Sequence, residues 1–214
     1  MTLSVCVVHK QRSVLCAGGR QIELFPRCID SLNEAVAKSG IDAEIVVVDW
    51  PVHRDCHGLS RWFAQRVKIP ATVITARKAF SKGRGCNAAA RRAKGDVLFF
   101  LDCDMLVTAE VLRKGVDWVK RGKAYFPGYL AIDAHGIALK PRSPGAGNAF
   151  MSPAMFERFG GWPEKETWGN FDRPVWNWFN EHGLAAEPLY EREIVPGFLH
   201  MYHPKFVGWT RERP

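Results

Sequence analysis

Val97-Leu98-Phe99-Phe100-Leu101-Asp102-Cys103-Asp104 joins an unbroken apolar run to two carboxylates. A run of this kind, continuous rather than alternating, predicts a strand covered on both faces, as found inside a parallel sheet. Burying two unpaired charges at its tip would cost roughly several kcal/mol each, so a metal, an arginine or open water must meet them. In an extended segment residues i and i+2 point the same way. Asp102 and Asp104 can then both face one divalent cation, or the cation-bound diphosphate of a ligand. A strand running into a solvated acidic turn would carry the same residues, so the wider pattern has to decide.

Working outward, Leu3 to Val8 is a short, nearly continuous apolar run, Ala43 to Val48 is a second buried strand ending at Asp49, and Ala71 to Thr75 is a third candidate strand. Gly18-Gly19 marks the loop after the first strand. Apolar residues at 25, 28, 29, 32, 35 and 36 keep helical spacing, with Pro26 in the first turn and Gly40 past the end. Leu59, Trp62, Phe63 and Val67 predict another helix. Ser81 can cap a helix from about Gly83 to Lys94 that Gly95 stops, and Thr108 can cap the next, to about Arg121. Strand and helix alternate through the first 125 residues, which predicts a parallel, doubly wound α/β sheet. Such sheets bind ligands beyond the carboxyl ends of their strands, where the strand order reverses, and Asp49, Asp102 and Asp104 all fall at such ends.

After residue 125 the pattern changes. Ala131 to Leu139 reads as a hairpin centred on His135-Gly136, and Pro141 to Gly147 as a loop. Pro153 begins a short helix ending at Gly160-Gly161. Asp172 to His182 is an amphipathic helix with Val175, Trp176 and Phe179 on one face. Residues 1–125 and 126–214 are expected to be two halves of one domain, with no independent linker.

At 214 residues and 47% apolar, the chain can bury a core without disulfides. Its cysteines, at 6, 16, 28, 56, 86 and 103, form no C-x-x-C pair, which suits reduced thiols and makes structural zinc improbable. No apolar stretch approaches the roughly 20 residues of a membrane span, and no basic leader precedes the first strand; the expectation is a soluble, cytoplasmic protein. Thirty Lys and Arg against 22 Asp and Glu give +8, so an anionic partner is expected: a nucleotide diphosphate, acidic polysaccharide, membrane surface or nucleic acid.

The opening strand, the segment Phe80-Ser81-Lys82-Gly83-Arg84-Gly85-Cys86-Asn87, Phe99 to Asp104, and Gly145 to Asp172 with the terminal His200-Met201-Tyr202-His203-Pro204 together resemble the family 2 glycosyltransferases of GT-A fold. The likeness is nearest to the branch of bacterial chondroitin-type polymerases and β-1,4-galactosyltransferases. The resemblance implies a Rossmann-like, mostly parallel sheet. It also implies inverting, metal-dependent transfer of a hexose from a nucleotide sugar, UDP-linked by expectation, to a hydroxyl of a saccharide or lipid-linked acceptor. Residues 1–125 would bind the nucleotide sugar and 126–214 the acceptor.

The same resemblance implies roles for single residues. Departure of a nucleoside diphosphate needs its negative charge neutralised, and Mn²⁺ or Mg²⁺ held by Asp104 and backed by Asp102 would do so. Lys82 and Arg84 would add phosphate or ribose contacts, or else form a solvated basic face. Asn87 is expected to orient the Arg84 loop or the acidic pair. His203, with His200, matches the family's third metal ligand, and imidazole beside carboxylate suits Mn²⁺. Asp172 is the candidate base for the acceptor hydroxyl, with Glu164 or Glu166 as substitutes and a helix-capping role as the plain alternative. Phe171 stands where the family has a glutamate. Trp162 and Trp168 offer flat faces to a sugar ring or pack in the core. His53 and His57 read as structural. The first strand ends Val7-Val8-His9-Lys10 where the family has Pro-Thr-Tyr, and Trp50-Pro51 follows Asp49 where it has a second aspartate and Gly-Ser. Asp49 can still accept from a uracil or ribose donor group.

Two other readings stay open. One is the same chemistry on hydroxymethylated bases of DNA, whose bases would have to leave the stack. The other is a non-catalytic nucleotide-sugar-binding module, or a nucleotidylyltransferase, for which Gly18-Gly19 is a poor phosphate loop.

Overall fold

The computed structural model describes residues 1–10, 12–17, 20–51, 59–133, 137–142, 147–165, 172–186 and 194–203. Four mainly apolar segments form the parallel body of the main sheet: β1 (Leu3–His9), β4 (Ala43–Asp49), β5 (Ala71–Thr75) and β6 (Val97–Asp102). Between β1 and β4 lie the strands β2 (Val14–Ala17) and β3 (Arg20–Glu23) and the helix α1 (Phe25–Ser39). Helix α2 (Leu59–Arg66) precedes β5, and α3 (Lys82–Arg92) precedes β6. The chain steps outward from β1 to β4 to β5, then crosses back to lay β6 on the other side of β1, so the order reverses between β1 and β6.

Alternation across the pleat explains why the central strands β1, β4 and β6, covered on both faces, are mostly apolar, while the edge strand β5 is half exposed. Leu3, Val5 and Val7 of β1, with Phe99 and Leu101 of β6, face Phe25, Cys28, Ile29 and Leu32 of α1, and the same cluster takes Val111 and Leu112 of α4 (Ala109–Lys120). Cys6, Val46, Val48, Leu98 and Phe100 share the opposite cluster with Cys86 and Ala89 of α3 and with Val175 and Phe179 of α6 (Asp172–Glu181). Helix ends follow local chemistry. Gly40 ends α1 at φ 70°, and the Ser81 hydroxyl accepts from the Arg84 N–H at 3.3 Å. Thr108 occupies the N-cap of α4, yet its hydroxyl donates to the Pro196 carbonyl instead of capping.

The remaining strands are β7 (Met105–Leu106), β8 (Gly128–Ile132), β9 (Ala138–Arg142), β10 (Ala149–Met151) and β11 (Ile194–His200), with α5 (Pro153–Phe159) after β10. The pair β8 and β9 is the predicted hairpin. The other three strands join the two halves. β10 from the second half pairs antiparallel with β6 at the edge of the main sheet, while β7 from the first half pairs with β11 in a second sheet ordered β7-β11-β8-β9. His53 and His57 lie outside the described residues. No helix among the described residues is long and apolar enough to cross a membrane.

Two consequences of this packing are measurable. Gly115 of α4 lies against Phe150 so closely that a Cβ there would stand 2.4 to 2.5 Å from ring carbons, and the ring cannot swing because it stacks on Phe99 at 3.8 Å. Gly115→Ala gains about 1 kcal/mol of helix propensity and loses about 1–3 kcal/mol to overpacking, so a lower urea midpoint is expected. Cys6, Cys28, Cys86 and Cys103 are buried free thiols, and burial pushes Cys86 up to about 12 and raises the other three as well. With Cys16 and Cys56 replaced by serine, native protein at pH 8 should show no fast reaction with a thiol reagent, and guanidinium should release it.

Candidate functional site

The extended geometry of β6 ends at Asp102, and Cys103-Asp104 turn before β7, so the rule that aligns residues i and i+2 lapses here. The two carboxylates meet different partners. Asp102 Oδ1 lies 2.5 Å from Lys82 Nζ in the first turn of α3. Asn148, which is buried, accepts from the Asp102 N–H at 2.9 Å and donates to its Oδ2 at 3.4 Å. Gly147 leaves room for this cage, because a Cβ there would meet both Lys82 Nζ and Asp102 Oδ2.

Asp104 is 8% exposed and faces three cationic or imidazole groups. His203 Nε2 stands 3.2 Å from Oδ2, His200 Nε2 3.7 Å from Oδ1, and Arg12 Nη1 donates to Oδ2 at 3.4 Å. Strand pairing brings the histidines here: His200 of β11 is in register with Met105 of β7, and the Met201 N–H then donates to the Asp104 carbonyl at 2.9 Å. Burial alone would raise the Asp104 carboxyl. The His203 hydrogen bond and the nearby His200 and Arg12 outweigh it and hold the group well below the usual carboxylate range. Burial lowers His200, against the pull of Asp104, and so favours its neutral, lone-pair form. One donor atom from each of Asp104, His200 and His203 lies within 4.8 Å of the others, a carboxylate–imidazole set suited to a borderline divalent cation. Among the described residues Asp102 is outside that set.

Asp49 lies two strands away from β6, across β1, at the end of β4 and in register with His9 of β1. His9 is 2% exposed, stacks on Phe25, and holds Asp49 Oδ1 at 2.7 Å from Nδ1. Its Nε2 meets the Arg12 N–H at 3.3 Å and the Ser13 hydroxyl at 3.0 Å.

Arg84 is engaged by the Ala79 carbonyl at 2.8 Å and by Glu164 at 3.3 Å. Asn87 does not reach toward the acidic pair. It brackets Trp162, donating to its carbonyl and accepting from its N–H, and also donates to Glu164. That hydrogen bond, with help from Arg84, lowers the Glu164 carboxyl. Trp162 is 2% exposed, edge-on to Phe100 and Phe159, so it is a core residue. Asp172 opens α6, while its side chain and the residues Glu166 and Trp168 lie outside the described residues.

Sequence reasoning did not single out Arg12, Ser13, Asn148 or a role for His9. Only His9 left a signal, as a polar residue closing an apolar strand.

Solved structures share this fold. S. aureus TarS, residues 1–349, superposes with a TM-score of 0.59 at 14% identity, covering 96% of this chain and 59% of its own. The same protein is also solved with UDP-GlcNAc, at 16% identity and 0.59. The mannosyltransferase PcManGT from Pyrobaculum calidifontis, solved with GDP-Man and Mn²⁺, gives 0.62 at 17% identity, covering 97% and 58%. The chain thus spans about three-fifths of the length of these solved chains. No curated protein matches the sequence. The main sheet is the mainly parallel, Rossmann-like sheet of the GT-A fold. Residues 14–166 match the family model described as "Glycosyl transferase family 2", and on that match the chain belongs to glycosyltransferase family 2.

Proposed function

We propose that the chain is an inverting, divalent-metal-dependent hexosyltransferase that takes its sugar from a UDP-hexose and delivers it to a hydroxyl of a saccharide or lipid-linked acceptor. The observation that carries this reading is the convergence of Asp104, His200 and His203 beside the point where the strand order reverses. TarS with UDP-GlcNAc and PcManGT with GDP-Man and Mn²⁺ support a nucleotide-sugar donor. The reading extends to the chondroitin polymerase or β-1,4-galactosyltransferase type, which the sequence pattern resembles.

In this reading residues 1–125 bind the donor. Asp49 accepts from the base or ribose, and Lys82 and Asp102, fixed by Asn148, meet the ribose and phosphates. Arg84 supports that side from its bridge to Glu164. Mn²⁺ or Mg²⁺, held by Asp104, His203 and His200 with Asp102 nearby, would supply positive charge to the departing diphosphate. Residues 126–214 hold the acceptor. Its hydroxyl oxygen bonds to the anomeric carbon as the bond from that carbon to the diphosphate breaks, and Asp172 takes the hydroxyl proton. Glu164 is the weaker candidate base, because two donors already occupy its carboxylate and lower its basicity. The buried thiols suit a reducing compartment, so the reading includes the cytoplasm.

Asp104→Ala and His203→Ala should each abolish Mn²⁺ binding seen by electron paramagnetic resonance and cut release of UDP from UDP-hexose by at least about 100-fold. Turnover that survives both a chelator and Asp104→Ala would refute metal-assisted departure. Asp172→Asn should lower kcat by about 10²–10⁴ while leaving UDP affinity unchanged. Glu164→Gln should cost less than about tenfold, and the reverse ranking would move the base to Glu164.

A further inference from the structure

Three elements converge on one buried imidazole. His9 closes β1 on the face covered by α1, where Phe25 stacks on it with ring centroids 5.1 Å apart and planes 23° apart. The ring is pinned on its face and bonded at both nitrogens. A backbone N–H can only donate, so the Arg12 N–H at 3.3 Å makes Nε2 an acceptor, and the Ser13 hydroxyl donates to the same atom at 3.0 Å. A ring whose Nε2 accepts must carry its proton on Nδ1. The proton therefore lies on the 2.7 Å line to Asp49 Oδ1, where a carboxylate can only accept.

The two ends of this chain of bonds lead to opposite sides of the site. On one side His9 fixes the carboxylate of Asp49, the donor-nucleotide contact in the proposed function. On the other it holds the backbone turn that sends the Arg12 guanidinium to Asp104 Oδ2 at 3.4 Å. That oxygen also faces His203, so Arg12 sits as a cation on the atom a metal would share. A guanidinium there repels an incoming dication and competes for its ligand.

We propose that His9 is a positioning residue that ties the nucleotide side of the site to its metal side: its Nδ1–H sets the carboxylate of Asp49, and its Nε2 anchors the turn that keeps Arg12 on Asp104. The inference rests on the assignment of Asp49 to the nucleotide and of Asp104 to the metal. Arg12 acts as an internal counter-cation that a metal must displace.

Side-chain amides separate the two functions of the ring. His9→Asn places an amide N–H near Nδ1 and removes the acceptor at Nε2, whereas His9→Gln places its amide near Nε2 and removes the donor at Nδ1. The probes are UDP in EDTA, titrated calorimetrically, and Mn²⁺ alone, followed by electron paramagnetic resonance. His9→Asn should keep UDP affinity within about threefold and bind Mn²⁺ at least about threefold more tightly, because Arg12 is released. His9→Gln should lose about tenfold in UDP affinity and leave Mn²⁺ binding unchanged. Arg12→Ala, which leaves the buried ring in place, should tighten Mn²⁺ as His9→Asn does, and this holds even if the ring variants fail to fold.

A purely structural role predicts that both ring variants weaken both probes together with the melting temperature. That result overturns the proposal, as does an Arg12→Ala protein with unchanged or weaker Mn²⁺ binding. Wild-type protein that binds neither UDP nor Mn²⁺ overturns the underlying functional reading, and this inference with it. Wild-type binding without the split between variants overturns the inference alone.

Discussion

A carboxylate buried at the tip of a core strand is the constraint from which the site follows. Desolvating Asp104 alone would cost roughly several kcal/mol, and at 8% exposure little water reaches it. The fold meets this with Arg12 from the turn after β1 and with His200 and His203 from the far end of the chain. Recruiting those histidines requires β11 to lie beside β7, and β11 in turn pairs with β8. Forming the second sheet and assembling the donor set are thus one structural event. A chain that lost the pairing of β7 and β11 would leave Asp104 with Arg12 as its described cation.

The turn at Cys103-Asp104 separates two aspartates that parity along β6 would place on one face. Asp102 belongs to the face of Leu98 and Phe100, on which α3 packs, so the lysine at the start of α3 is the cation within reach. Asp104 lies within the turn and meets the elements from the opposite side. A sequence of the form D-x-D therefore does not imply one shared ion. Here it carries two ionic environments about one turn apart, one closed by Lys82 and Asn148 and one with a donor set that a dication fits.

The main sheet was legible because its central strands β1, β4 and β6 carry their own signal: runs rich in Val, Ile, Leu and Phe between glycines and helix caps, which suit a strand covered on both faces. Asp49, Asp102 and Asp104 were legible for the same reason, as charges at the ends of those strands. The second sheet was not. Its joining strand, Ile194–His200, contains Pro196 and a Gly197 at φ 77°, both signals against a strand, and its neighbour β7 is two residues long. The main-sheet edge strand β10 is only three residues and merges with the loop before it. Partners supplied by backbone turns, such as Arg12 and Asn148, leave no periodic trace, since their positions follow from tertiary geometry alone. Trp162 looked equally fit for sugar stacking or core, and its burial against Phe100 decides for the core.

The departures from the family pattern gain meaning when taken as a pair. His9 replaces a residue at the end of β1 and Trp50 one just after β4, and register places His9 directly opposite Asp49. The Trp50 N–H donates to the His9 carbonyl at 3.0 Å, and its indole N–H donates to the Lys78 carbonyl at 2.7 Å. A Cβ on Gly85 of α3 would collide with Val8 and with the ring of Trp50, so the helix carries glycine where the strand ends carry bulk. Each substitution is accommodated by a neighbour, and the carboxylate between them keeps one defined orientation. In the proposed reading, where Asp49 meets the nucleotide, the altered strand ends form a rebuilt nucleotide side whose carboxylate is oriented by His9.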